Sequence, residues 1–371
     1  MESKALRQIS YLPEEIIEDI LSRLPVKSLL SFKSISQSWH SLISSKHFIK
    51  THLETSTKNP TFAHHKILSY TWKSFIYELK YCSLPSLFSE HITYAIRCDF
   101  PIDSSVNSLR LVGCCNGLVC ILINKKEFFL WNPATKESKK LPHVEVTIGR
   151  WGFVAEHGFG FDKSSGDYKV CAVLHDDYVQ IMAKIYSLKT NSWRRIRDID
   201  DGLADIMKGK FVSGKLHWRR KKKPPYMNRR CYISSLDLKN ELFGMVEQPR
   251  LSEIDFDPVL GDFDGCLSLL YGDPQCSSDL WVMKQYGVKD SWIKLLTIPD
   301  YLCYCPGTNF LTEFYVVSCN GEVLFKYDSN LLIYNLKENR FSNRLIIGID
   351  RFGGIDVYVD SLVSIVADIE K

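Results

Sequence analysis

Apolar positions change their spacing near residue 60. Before that point they recur at helical intervals, with Ile16, Ile17, Ile20, Leu21 and Leu24 forming a wide stripe along one predicted helix. Leu12 and Pro13 open this helix, and proline suits a first helical turn. Glu14, Glu15, Glu18 and Asp19 follow, which suits the positive end of the helix dipole. Pro25 stops it, with Val26 just beyond. A second short helix is predicted over residues 27–34 with Leu29, Leu30 and Phe32, followed by Ile35. A third carries Trp39, Leu42 and Ile43. Three such helices in about 40 residues bury little surface on their own. Their apolar residues also lie on more than one face, so a partner covering the spare face is expected.

After Thr61 the pattern becomes short alternating runs broken by turns, the mark of β structure. Two phrases repeat. The first is a glycine turn entering a strand: Asn116-Gly117-Leu118-Val119, Gly214-Lys215-Leu216, Asp264-Gly265-Cys266 and Asn320-Gly321-Glu322. Asn-Gly and Asp-Gly favour hairpins because both residues tolerate positive φ. The second is an apolar strand running into a polar turn, as in Trp131-Asn132-Pro133-Ala134-Thr135, Tyr186-Ser187-Leu188 and Tyr334-Asn335-Leu336. Counting from Asn116 through Tyr168, Gly214, Gly265 and Gly321 gives intervals of 52, 46, 51 and 56 residues. A period of about 50 residues suits one four-stranded propeller blade per repeat. Residues 64–81 supply a further blade and residues 357–363 help close the ring, which predicts about six blades. The fold class expected is therefore mixed but mainly β, with Trp131, Phe161, Tyr186 and Trp193 filling the space between blades.

The opening order, Leu12-Pro13, Ile17-Glu18-Asp19-Ile20-Leu21, Arg23-Leu24-Pro25, Lys27-Ser28-Leu29, Phe32-Lys33, Trp39 and Leu42-Ile43, resembles the F-box in its plant form. The later phrases Trp131-Asn132-Pro133, Gly158-Phe159-Gly160-Phe161-Asp162, Asp167-Tyr168-Lys169-Val170 and Tyr358-Val359-Asp360-Ser361-Leu362-Val363 resemble the plant F-box-associated domain. Together they cover nearly the whole chain and are similar to plant F-box/kelch-repeat proteins, the S-locus F-box proteins among them. The resemblance implies a three-helix F-box over 8–52 followed by a kelch-like β-propeller over 61–371. It implies a non-catalytic substrate receptor of a Skp-cullin-F-box ubiquitin ligase that recruits a target protein. The Skp-type adaptor, itself bound to a cullin scaffold, would meet a set drawn from Leu12, Pro13, Ile16, Ile17, Ile20, Leu21, Leu24, Pro25, Val26, Leu29, Leu30, Phe32, Ile35 and Trp39, some as contacts and some as the module's own core. One departure is the segment Ser34-Ile35-Ser36-Gln37-Ser38-Trp39, which lacks the basic residue common before the tryptophan.

Composition changes this picture little. The 371 residues are 45% hydrophobic, 24% charged and 12% aromatic, and the net charge is +4. So small a charge gives no general argument for nucleic acid or membrane binding. Acidic residues stand where a secretory leader would need an apolar core, and the weakly polar run 111–124 is too short to span a bilayer. The twelve cysteines show no Cys-x-x-Cys pair, so reduced buried thiols in a cytoplasmic and/or nuclear protein are expected, without metal or other cofactor. No nucleophile elbow, phosphate-binding glycine loop or His-x-x-x-His pair marks an enzyme. The most unusual local feature is Arg219-Arg220-Lys221-Lys222-Lys223, followed by Tyr226, Arg229 and Arg230. Lying between two predicted strands, it is expected as an exposed loop. It is either a solvated charge run, a contact for an acidic target, or a nuclear-targeting or nucleic-acid segment. A propeller enzyme and a nucleic-acid-associated protein stand as the alternatives to the receptor.

Overall fold

A computed structural model describes residues 12–73, 76–100, 106–144, 153–175, 181–196, 207–221, 231–249, 258–273, 277–299, 313–319, 322–327, 330–349 and 353–366. Helices α1 (Glu14–Ser22), α2 (Val26–Phe32), α3 (Gln37–Ser44) and α4 (Lys46–Thr57) come first. The three expected helices are therefore followed by a fourth. Pro13 and Pro25 enter α1 and α2 in extended conformation, where a missing N–H costs nothing. Ser36 and Ser45 cap α3 and α4, their hydroxyls accepting from Trp39 N at 3.2 Å and Phe48 N at 3.1 Å. Helix α5 (Leu84–Ser89) lies within the β region. Among the described residues no helix is long and apolar enough to cross a membrane.

Six blades of four antiparallel strands follow, the third with a short fifth strand, Met207–Lys208, running parallel along its innermost edge. From the innermost strand outward, blade 2 is Leu109–Cys115, Leu118–Ile123, Glu127–Trp131 and Ser138–Lys140. Blade 3 is Phe153–Asp162, Asp167–His175, Ile181–Ser187 and Ser192–Arg195. Blade 4 is Lys210–Val212, Lys215–Lys221, Cys231–Asp237 and Phe243–Val246. Blade 5 is Val259–Phe263, Cys266–Asp273, Ser277–Met283 and Trp292–Pro299. Blade 6 is Glu313–Cys319, Glu322–Tyr327, Asn330–Asn335 and Arg340–Ile347. Blade 1 is built from both ends of the β region. The late strand Gly354–Val359 is innermost, ahead of His65–Lys73, Ile76–Ser83 and Ile96–Arg97.

The chain thus closes the ring by pairing its last strand with its first, Lys66 opposite Tyr358 and Leu68 opposite Asp356. A second clasp joins blades 6 and 1 at the rim, where Ile92–Tyr94 runs parallel to Arg340–Ile347. Closure removes the free edges that would otherwise invite aggregation.

Each junction between blades carries its own apolar core. Leu68, Leu111, Ile121 and Trp131 pack between blades 1 and 2, and Val112, Phe128, Phe159 and Tyr186 between blades 2 and 3. Leu216, Trp218 and Leu236 face Cys171 and Ile185 between blades 3 and 4. The remaining junctions are filled in the same way. Trp131 and Tyr186 are buried in these seams, and Phe161 and Trp193 pack partly buried against the seam between blades 2 and 3.

The predicted hairpins form where positive φ is required: Asn116-Gly117 at 52° and 82°, and Asp264-Gly265 at 51° and 74°. Asn320-Gly321 lies outside the described residues. Two of the second repeated phrases, and the matching turn at Asp237 of blade 4, share one chemistry. Asn132, Asp237 and Asn335 each turn a side-chain oxygen onto two backbone N–H groups just ahead, at 2.8 to 3.3 Å.

Candidate docking surfaces

The helical module sorts its apolar residues cleanly. Leu21, Val26, Leu29, Ile43 and Phe48 form a sealed core. Ile17, Leu24, Leu30, Phe32, Trp39 and Leu42 pack against it and stay partly open. Phe32 and Trp39 meet edge to face at 5.5 Å. Leu12, Ile16, Ile20 and Ile35 remain 55, 46, 48 and 60% exposed, and Pro13 and Pro25 are exposed beside them. Ile16 and Ile20 are one helical turn apart on α1, so they stand one above the other on its outer face. Four large aliphatic side chains left in water on so small a unit are a costly arrangement unless another surface covers them.

The core of the module is not built from the helices alone. Leu362, near the far end of the chain, is 4% exposed and belongs to the same cluster, and Ala134 from a blade 2 turn packs against it. Leu362 sits on a strap, residues 360–365, that continues from the innermost strand of blade 1 across the turns of blade 2. Asn132 Nδ2 donates to Ser361 O at 3.1 Å and to Val363 O at 2.8 Å. Ser361 Oγ donates to Asn116 O at 2.9 Å. Glu137 Oε2 accepts from Ser364 Oγ at 2.9 Å and Ile365 N at 3.1 Å. Gly117 is held to glycine twice over, by its φ of 82° and because an added Cβ would overlap Ser361.

Where α4 meets blade 1, the rings of His52 and His64 meet, and His65 beside them packs on Phe62. His52 is fully buried, its Nε2 2.9 Å from Leu24 O and its ring 5.9 Å from that of His64. Asp360 N donates to His64 O at 2.9 Å, and the Asp360 carboxylate pairs with Lys66 at 2.7 Å. Burial holds His52 and His64 below the usual histidine pKa and takes His65 down to about 4. All three are therefore neutral at pH 7.

The basic run requires a correction. Arg219, Arg220 and Lys221 are not in a loop; they extend the strand Lys215–Lys221. Leu216, Trp218 and Arg220 alternate onto one face, toward blade 3. Arg220 is 1% exposed and pairs with Glu156 on the innermost strand of blade 3, itself fully buried. Its charge is matched inside the protein, so it is not available to a target. Arg219 is half-buried and donates to Pro258 O at 3.4 Å, toward blade 5. Lys222, Lys223, Tyr226, Arg229 and Arg230 lie outside the described residues.

Other charges also join blades. Lys169 sits between Asp162 at 3.1 Å and Glu241 at 2.9 Å, tying blade 3 to blade 4. His217 Nε2 lies 2.8 Å from the Tyr286 hydroxyl of blade 5. Lys208, on the inner edge of blade 3, meets Asp356 of blade 1 at 2.6 Å. Its strand, Met207–Lys208, pairs in parallel with the innermost strand of blade 3, so this pair ties blade 3 to blade 1. Among the described residues no three His, Cys, Asp or Glu side chains gather as metal ligands would. Burial pushes the thiols of Cys82 and Cys115 up to about 12, which keeps them protonated and poorly nucleophilic.

The helices and the strap lie at the end of the blades where first and second strands are joined. The strands of each blade are antiparallel, so second and third strands are joined at the opposite end. Lys221 and Cys231, where the second and third strands of blade 4 meet, therefore lie at the end of the blade away from the helices.

A family model described as the F-box associated beta propeller domain matches residues 75–365, and one for the F-box domain matches residues 9–51. The F-box/kelch-repeat protein At3g23880 of Arabidopsis thaliana is 34% identical over 95% of both chains. F-box protein CPR1 of the same plant is 26% identical, over 77% of this chain and 73% of its own. TolB from Acinetobacter baumannii shares the fold alone, with a TM-score of 0.51 at 9% identity, over 85% of this chain and 73% of that one. An exposed apolar face on capped N-terminal helices, a six-bladed ring behind it, and these matches across both parts lead to one conclusion: the chain belongs to the F-box family, in the plant group that joins an F-box to an F-box-associated β-propeller.

Proposed function

We propose that this chain is the substrate-recognition subunit of a Skp-cullin-F-box ubiquitin ligase. Family membership supports a substrate-adaptor role, and an F-box implies a Skp-type adaptor as partner. The observation that carries the reading is the outward apolar set Leu12, Pro13, Ile16, Ile20, Pro25 and Ile35, with Leu24, Leu30, Phe32 and Trp39 partly open among them. These ten are the adaptor contacts in this reading. Ile17 supports them from below, and Leu21, Val26 and Leu29 act as the core that holds them in place.

The propeller holds the target protein. Catalysis is then by proximity. The receptor brings target lysines near a ubiquitin-charged enzyme and raises their effective concentration, with no covalent step on this chain. The setting is the cytosol or the nucleus.

Co-expression of the full chain with a Skp-type adaptor tests the reading. Wild type is expected to co-purify with the adaptor and Ile20→Asp to lose it while the far-ultraviolet circular dichroism of the two chains coincides. Equal recovery from both would count against the assignment.

A further inference from the structure

The F-box and the ring are completed by the same stretch of chain. Gly354–Val359 supplies the innermost strand of blade 1, and the strap that follows puts Leu362 into the F-box core. The chain leaves α4 through residues 58–64 and enters blade 1 at the same corner, where Asp360 N bonds His64 O at 2.9 Å. The strap is not loosely laid. Its path is fixed by Asn132, Asn116 and Glu137 of blade 2, and Ile365 is buried in the seam between blades 2 and 3. A helical unit of under 50 residues has little core to spare. One leucine borrowed from elsewhere is then a large share of what keeps α1 to α3 in register.

We infer that adaptor binding by the F-box is coupled to closure of the propeller through this strap. A chain whose ring is open, or whose last strand has slipped, cannot deliver Leu362. Its helices lose part of their core, and the outward set on α1 and α2 loses its fixed spacing. Coupling of this kind is reciprocal: an adaptor that binds the ordered F-box must also favour the closed ring. The strap thus acts as a completion check, because the stretch that carries Leu362 is the one that closes the ring. Only a finished receptor then offers the adaptor its full surface. The inference rests on the proposed receptor role and adds a condition on when that role is available.

The test titrates purified Skp-type adaptor against the full-length chain as wild type, Leu362→Asp, Leu362→Ala and Glu137→Ala, and records the unfolding temperature of the ring with and without adaptor. Leu362→Asp is expected to weaken adaptor binding on the order of tenfold, a common size for coupling between sites. Leu362→Ala and Glu137→Ala should weaken it less. Saturating adaptor should raise the unfolding temperature of the wild-type ring and raise it less in all three variants. If Leu362→Asp does not fold, the two milder variants carry the same comparison. Unchanged affinity together with an unchanged adaptor-induced shift would overturn the coupling. Wild type that fails to bind the adaptor would instead overturn the receptor role itself.

Discussion

The six blades and the four opening helices differ most in where their apolar side chains end up. In the propeller every seam between neighbouring blades closes over its own cluster, and even charged groups such as Arg220 and Lys169 are matched inside. In the F-box one part of the apolar set is sealed and another stands in water, with Leu362 brought in from the ring to finish the sealed part. The seams of the ring therefore satisfy their own burial, although Trp72, Tyr94, Met245 and Leu345 stand exposed on its outside, whereas the helices depend on neighbours on two sides. One neighbour is the chain's own strap. The outward set needs a second neighbour, and that is the physical content of calling the module an adaptor site.

The sharpest way to test the ring's side of this contrast is to break a charge pair inside it. Arg220→Met leaves Glu156 buried without its cation, a change that typically costs about 3–5 kcal/mol. Chemical denaturation should show that loss. A loss under about 1 kcal/mol would mean the pair is open to water, because exposed pairs are worth no more than that.

On the helical side, Leu29→Ala removes a fully buried side chain and should cost about 2–5 kcal/mol. Here the loss should be local. Amide exchange is expected to speed up in α1 to α4 while the blades stay protected, since small units open below the global free energy. Uniform acceleration through the blades would show that the two parts unfold as one.

Acidity probes the seam between them. His52, His64 and His65 have folded-state pKa values below the ordinary 6.5, held there mainly by burial. Below 6.5 the unfolded chain therefore binds more protons than the folded one. Stability from these groups is complete above that pH and falls as the pH drops from 6.5 toward about 4, the value for His65. Thermal melts across this window should show the F-box transition moving down before the ring's. The double variant His52→Gln, His64→Gln should weaken that dependence and leave the part due to His65.

The smallest effect concerns a cap. Ser45→Ala leaves Phe48 N without its side-chain acceptor and should cost about 1 kcal/mol, confined to α4.

Much of this arrangement could be read from residue order, for reasons that are local. The α1 stripe is a spacing of 3 and 4, and the blades announce themselves by turns where glycine permits positive φ. What escaped were relations between distant parts. Helix α4 was hidden because its buried face runs Phe48, His52 and Ser56, two of the three polar, which dilutes the apolar stripe. The run from Arg219 to Lys223 reads as a loop because it stands between two predicted strands and is all charge. The signal that Arg220 faces inward was its place in the alternation with Leu216 and Trp218. Leu362 lies in a phrase that resembles ring closure, and nothing in its neighbours says that it leaves the ring to complete a helical core. Which of the fourteen F-box residues stay outside was likewise set by packing that periodicity alone does not resolve.

The most direct test of the central claim is amide hydrogen exchange on the full chain with and without a saturating Skp-type adaptor. Protection gained in α1 to α3, around Ile16, Ile20 and Ile35, with the outer strands of the blades unchanged, is the predicted pattern. Protection confined to the blades, with those helices exchanging as fast as before, would contradict the account.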